Sequence, residues 1–480
     1  MNYSIVRYFV GWVLLAVGAF MLIPTALALI SGDGVGMAFA LSAGLALAAG
    51  LVSCCVKPHD RSLYSKECFA AVSLGWISMS LVGALPFWIS GFTPSFTDAL
   101  FEVISGFTTT GASILTDVEA LPPSLLLWRS LTHWIGGMGV LVFLLAILPA
   151  AGGDNLMLMK AESPGPSVGK LVPRLRKTAV YLYGIYLVLT VLQMILLLLG
   201  NMSLLDALCI ALGTAGTGGF GVQSDSLASS STYIQVVVTV FMFIFGVNFN
   251  FYFYLLIRRA KAAFGMEEVR WYLVIFAAAV LLVTGCLYAD GVYGSVLLCL
   301  KHAAFQCASV MTTTGFASAD FNLWPMFSKA VLLLLMFVGG CAGSTAGGVK
   351  VSRIIMYVKS LGRELSQMLH PRRVKLVTMD GKAMEPAVMN TAFSFLVAYC
   401  LLFGLSLLAV AVDGRGLTTS FTAVLACLNN VGPGLDEVGP MGSFAMLSPF
   451  TKYVLMFDML AGRLELFPML LLFAPGTWKR

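Results

Sequence analysis

Long apolar runs and short polar breaks alternate along this chain in an order that sets its architecture. Ten apolar windows, at about 8–30, 35–55, 69–90, 128–150, 178–200, 231–257, 271–289, 327–358, 389–412 and 449–473, approach or exceed the roughly 20 residues a helix needs to cross a bilayer. Between some of them lie stretches too short to cross but helical in pattern, near 96–108, 203–216, 295–311 and 416–429. The eighth window is interrupted by Gly339, Gly340, Gly343, Gly347 and Gly348, with Ser344 and Thr345 among them. Such a run predicts an unwound stretch near mid-membrane, the alternative being a packing seam of small residues.

Each short helix runs into a glycine-centred segment: Thr109-Thr110-Gly111, Thr217-Gly218, Thr313-Thr314-Gly315 and Asn430-Val431-Gly432. Their glycines Gly111, Gly218, Gly315 and Gly432 recur roughly every hundred residues, the mark of one unit used four times. That unit is a span, a half-helix, a glycine loop and a second span. Two of the half-helices open alike, on Asp98-Ala99-Leu100 and Asp206-Ala207-Leu208, where the acid complements the helix dipole. Irregular backbone at membrane depth is tolerated only where it lines a water-filled path, so the four loops are expected to face one another around a pore. Glycine lets successive carbonyls turn inward, and rings of such oxygens replace the hydration shell of a monovalent cation. Half-helix C-termini aimed at the centre favour the same charge. The hydroxyls of Thr109, Thr110, Thr217, Thr313 and Thr314 add oxygen or brace the loops.

Composition agrees with the pattern. The chain is 59% hydrophobic and 11% charged, with a mean hydropathy of +0.91, far from soluble-domain averages. Basic residues crowd into alternate connections, among them Lys57, Arg61, Lys170, Arg176, Arg258, Arg259, Arg353, Lys359, Arg372 and Lys382, which puts that side and both termini in the cytoplasm. The net charge of +6 thus reports topology and not nucleic-acid binding. Acids such as Asp117, Glu119, Asp225, Asp320, Asp436 and Glu437 collect on the other side, either drawing cations to an outer mouth or simply solvating loops. The ten cysteines lack metal-ligand spacing and read as small buried hydrophobes. Neither a nucleophile elbow nor a phosphate-binding glycine loop is present, so no enzyme is expected. An arginine inside the last window, Arg463, marks a functional position by its insertion cost, unless it merely pairs with Glu465.

These segments resemble the TrkH/KtrB/HKT superfamily of potassium transporters, most closely its TrkH branch. The resemblance rests on Phe107-Thr-Thr-Thr-Gly-Ala112, His133-Trp134-Ile135-Gly136-Gly137-Met138-Gly139, Gly218-Gly219-Phe220 and Phe245-Gly246-Val247-Asn248. It extends through Met311-Thr-Thr-Thr-Gly-Phe316, the glycine-rich run from Gly340 to Gly348, Asn429-Asn430-Val431-Gly432-Pro433 and Gly462-Arg463-Leu464-Glu465. It implies an all-α polytopic membrane protein: a two-helix extension (1–60), then four pseudo-symmetric repeats (61–160, 161–262, 263–370, 371–480) around one pore. It implies potassium as the substrate, bound at Thr109, Thr110, Gly111, Thr217, Gly218, Thr313, Thr314, Gly315, Asn430, Val431 and Gly432, with no tightly held cofactor. A gate is implied at Gly340, Gly343, Ser344, Thr345, Gly347, Gly348, Lys350 and Arg463. A bacterial inner membrane, a homodimer and a cytosolic TrkA-type subunit binding NAD(H) or adenine nucleotides complete the expectation. The alternative mechanism is an ion-coupled symporter, which also uses broken helices.

Overall fold

The computed structural model describes residues 1–58, 65–139, 175–372 and 376–478. Among these the chain is helical apart from one small hairpin, Thr378–Met379 with Lys382–Ala383. Two long helices, Tyr3–Ser31 and Gly36–Cys55, come first and pack through small residues. A Cβ on Gly50 would stand 2.9 Å from the carbonyl oxygen of Gly11, the close approach that substitutes in lipid for a hydrophobic driving force. The first of the pair also lies along the opening helix of the first repeat.

Four repeats follow. Each has a first helix (Ser65–Gly83 continued by Leu85–Ile89, then Leu175–Leu199, Glu267–Ala289 and Pro386–Val410) and a short pore helix (Phe96–Phe107, Leu204–Gly216, Val296–Met311 and Leu417–Leu428). The pore helices are almost wholly buried over their C-terminal halves, so they form the centre of the molecule, while the first helices of the second, third and fourth repeats face outward and that of the first is covered by Tyr3–Ser31. Ser203 and Ser295 cap two of them by accepting the amides of Asp206 and Leu298.

The second helices depart from the apolar windows. They run Pro123–Gly137, Thr232–Phe245, Met326–Val338 and Pro449–Arg463, or 15, 14, 13 and 15 residues. At 1.5 Å per residue each covers only about 20 Å, short of a bilayer core. Six helices among the described residues are long and apolar enough to cross, and Thr232–Phe245 with Phe249–Leu256 makes a seventh only as a pair bent by 89°. The windows at 231–257 and 449–473 are therefore not continuous spans. The last one ends at Arg463, where Glu465 and Leu466 take φ of 58° and 66° before Phe467–Leu472 begins. The fourth window starts earlier than its apolar run, at Pro123, and its part from 140 to 150 lies outside the described residues.

The interruption in the third repeat falls where the glycines predict it. The chain leaves the helix at Val338 and rejoins at Val351. The Lys350 amide donates to the Val338 carbonyl and the Val351 amide to that of Gly340, each at 3.0 Å. The intervening residues are thus a loop pushed out sideways from one helix line.

Candidate functional site

All four pore helices end with the same turn. Thr109, Thr217, Thr313 and Asn430 take φ of 56°, 56°, 55° and 55°, the left-handed conformation that closes a helix. The next amide folds back onto a carbonyl of the last turn: Thr110 to Ser105, Gly218 to Gly213, Thr314 to Ser309 and Val431 to Ala426, at 2.8–2.9 Å. A glycine of positive φ follows in each, namely Gly111 (83°), Gly219 (77°), Gly315 (87°) and Gly432 (98°). This fixes a register that the sequence leaves one residue out. In the second loop Gly219 occupies the place of the other three glycines, and Gly218 stands where the others have Thr110, Thr314 and Val431. Two adjacent glycines made the segment ambiguous, but Phe220 beside Phe316 carried the signal for the alignment.

These glycines interlock the loops. A Cβ on Gly111 would stand 2.0 Å from the carbonyl oxygen of Gly218, one on Gly219 1.9 Å from that of Thr314, one on Gly315 2.5 Å from that of Val431, and one on Gly432 2.7 Å from that of Thr110. Each loop therefore leans on the next and the fourth returns to the first. The four carbonyls in contact are equivalent by position, which makes a closed ring with pseudo-fourfold symmetry. Only glycine fits at its four joints, since real Cβ contacts do not fall below 3.0 Å.

The side chains of the ring differ. Thr110 and Thr314 pair with the hydroxyls of Thr108 and Thr312 at 2.8 and 2.7 Å. Asn430 donates to Thr110 Oγ1 (3.0 Å) and to the Met459 carbonyl (2.9 Å), so the residue that replaces threonine in the fourth loop ties that loop to the first. Gly218 lacks a side chain because His133 fills the space, its Cγ and Nδ1 being 2.3 Å from where a Cβ would lie. The Phe220 amide donates to His133 Nε2 at 3.3 Å, so Nδ1 carries the proton and donates to the Gly106 carbonyl at 2.7 Å. The ring of His133 is thereby neutral, and it props the second loop from the first repeat's second helix.

On the outer side a cavity of about 210 Å³ opens onto Gly111, Gly219, Gly315 and Gly432 together. Its walls are held by bonds from loop to loop in the same order: Ser224 to Glu119, Leu227 to Ala317, Asn322 to Asp436, and Phe444 to Ser113. Among the described residues lining it, Arg129 is the charged one. Three of the acids placed on this side by the sequence are engaged in the rim. Ser224 donates its amide and hydroxyl to Glu119, which holds that carboxyl below the usual carboxylate range. Asp436 accepts from Thr419 at 2.8 Å, and Glu437 pairs with Arg415 at 3.2 Å.

On the inner side the displaced loop of the third repeat lies directly under the ring. The Gly347 amide donates to Thr313 Oγ1 at 2.6 Å, and a Cβ on Gly347 would stand 2.4 Å from the Asn429 carbonyl. Gly340 and Gly343 hold the loop to the break in the second repeat, where Cys341 donates to the Gly246 carbonyl and Phe249 to that of Gly343, both at 3.0 Å. Ser344 donates to Cys341 O (2.7 Å), and Thr345 to Phe245 O (3.3 Å). Gly348 packs against Gly339 where the loop crosses itself. Lys350 is buried and turns back to the Ala346 carbonyl, so it is neither at the interface nor facing an open vestibule. Arg463 donates to the carbonyls of Thr345 (2.8 Å), Gly136 (2.5 Å) and Gly137 (2.7 Å), joining the loop to the C-terminal end of the first repeat's second helix. Glu465 pairs with Arg353 at 2.5 Å.

Two carboxylates escaped the sequence reading. Glu102, inside the first pore helix, is fully buried against Arg129. Glu268, at the start of the third repeat's first helix, accepts the amides of Ala342 (2.6 Å) and Ser352 (3.2 Å) and the side chain of Asn248 (3.2 Å). It therefore clasps both ends of the displaced loop. An ionisable residue within an apolar helix was the available signal for Glu102, whereas Glu268 sits in a charged first turn beside Glu267 and Arg270, where a carboxylate is ordinary.

Residues 36–479 match the family model described as TrkH, a cation transport protein. The chain belongs to the TrkH family. Among its relatives, the Trk system potassium uptake protein TrkH of Salmonella typhimurium and that of Escherichia coli K12 are each 36% identical over 485 residues, covering all of both chains. The Trk system potassium uptake protein TrkG of Escherichia coli is 33% identical over 430 residues, 88% of this chain and 87% of its own. The crystal structure of the potassium transporter TrkH from Vibrio parahaemolyticus superposes with a TM-score of 0.90 at 34% identity, covering 100% of each chain. The TrkH fold of four repeats and two extra N-terminal helices is thus the fold of this chain.

Proposed function

We propose that the chain conducts potassium inward across a bacterial inner membrane through the ring of four loops. The observation that carries this reading is the closed set of equivalent carbonyls at Thr110, Gly218, Thr314 and Val431, locked by four glycines. It is an oxygen cage of the kind that replaces the water around a monovalent cation. The relatives named for potassium uptake over their whole length support the same ion. In this reading Thr109, Thr110, Gly111, Thr217, Gly218, Gly219, Thr313, Thr314, Gly315, Asn430, Val431 and Gly432 form the filter. The loop from Gly339 to Lys350, held by Arg463 and bonded to Thr313, is the gate. Both termini lie in the cytoplasm, lipid surrounds the first helices, and the protein works as a homodimer with a TrkA-type subunit that binds NAD(H) or adenine nucleotides.

The test is uptake of rubidium, potassium and sodium into proteoliposomes, with and without the cytosolic subunit. Selective potassium or rubidium flux is expected, and Gly315→Ser, which puts a side chain against the Val431 carbonyl, is expected to lower that flux at least tenfold or relax it toward sodium. Flux of another solute, indifferent to residue 315, would overturn the reading.

A further inference from the structure

The pair Glu102–Arg129 has no part in the ring, yet it stands at its outer entrance. Arg129 is the charged residue on the cavity that opens onto all four ring glycines. A guanidinium there opposes any cation approaching from outside, and a cleft with low-dielectric walls focuses that field. The same guanidinium has structural uses: Nη1 donates to the Gly221 carbonyl (3.1 Å), Nη2 to Ser113 Oγ (3.3 Å), and its Cζ lies 4.0 Å over the Phe220 ring. It thereby holds the outgoing strands of the first two loops together. Glu102 meets it from behind, Oε1 at 2.8 Å from Nε, while Oε2 accepts the Ile114 amide at 3.0 Å. Both side chains are nearly fully buried, 3% and 0% exposed, so solvent screens the charge little and the balance rests on the pair. No other repeat repeats it: the positions equivalent to Glu102, nine residues before the ring glycine, are Ile210, Gln306 and Ala423.

We propose that Glu102 is the counter-charge that lets an arginine brace the filter without closing the outer entrance to cations, and so sets the apparent affinity for the ion. The proposal rests on the reading of the ring as a cation pathway. It predicts a direction that a purely structural role does not, because charge and shape at residue 102 can be varied separately.

The experiment measures rubidium uptake against concentration in proteoliposomes at low and high ionic strength. For Glu102→Gln, which keeps the shape and removes the charge, KM is expected to rise about tenfold at low ionic strength. Glu102→Asp, which keeps the charge and shortens the reach, is expected to stay within about threefold of the parent KM even if its maximal rate falls. Glu102→Gln with Arg129→Gln is expected to recover most of the lost affinity. The proposal is overturned if Glu102→Asp raises KM as much as Glu102→Gln, or if the double variant is no better than the single one. Failure of the functional reading is separate and visible in the parent, as an absence of saturable rubidium flux.

Discussion

At the scale of single residues, the ring is held by side chains that hydrogen-bond the backbone of the loops. His133 is the clearest: one nitrogen donates to Gly106, the other accepts from Phe220, and the ring plane fills the space that Gly218 leaves empty. Replacing it with phenylalanine keeps the shape, strands the buried Phe220 amide and leaves the Gly106 carbonyl with the Thr109 amide as its donor. An unsatisfied buried group costs about 1–3 kcal/mol, so His133→Phe is expected to lose about that much and to melt several degrees lower in detergent, by a fluorescence thermal melt. The glycines of the loops were legible in the sequence because no other residue serves at a positive-φ joint against a neighbouring carbonyl. The exact joint in the second loop was not, since Gly218 and Gly219 are both glycine for different reasons: one is excluded from bearing a side chain by an imidazole, the other by the Thr314 carbonyl.

At the scale of elements, the second helices are the finding that periodicity could not supply. Hydropathy is blind to a break when residues on both sides stay apolar, as in Phe245-Gly246-Val247-Asn248-Phe249 and after Arg463. Only the third break, dense in glycine, announced itself. The first and fourth of these helices stop against the ends of their pore helices. Gly136 and Gly462 lie so close to the Phe107 and Leu428 carbonyls that a Cβ would stand 1.7 and 2.0 Å away. Glu268 accepts one amide of the displaced loop, that of Ala342, and one from the first turn of the helix that follows it, that of Ser352. In Glu268→Ala those amides lose their acceptor, a change of about 1–3 kcal/mol per group in favour of opening. The maleimide labelling rate of Cys341, which is fully buried in that loop, is then expected to rise at least tenfold in a peptide-resolved mass measurement. An unchanged rate would show that the loop is held by the Thr313, Gly246 and Arg463 contacts alone.

At the scale of the whole molecule, the outer rim repeats the cyclic order of the ring. Between the third and fourth loops the link is reciprocal: Asn322 donates to the Asp436 carbonyl at 3.0 Å and accepts its amide at 2.9 Å. Asn322→Ala removes both, and a stability loss of about 1–3 kcal/mol is expected, measured as a lower melting temperature with rubidium flux still present. The number of repeats and the pore between them followed from four short helices and the ban on irregular backbone in lipid. The contacts that close the circle did not, because Glu119 with Ser224 or Asn322 with Asp436 lie about a hundred residues apart and are ordinary loop residues until the chain brings them together.

That the circle is closed by one continuous chain has a consequence for inheritance. In a ring assembled from four identical subunits, any change in the gene arrives at four places at once. Here each quadrant is encoded separately, so a mutation touches one wall and leaves three intact. Asparagine can stand for threonine in one quadrant, an imidazole can prop another, and a buried ion pair can guard a third. The joints of the ring can therefore change one quadrant at a time, each change open to selection.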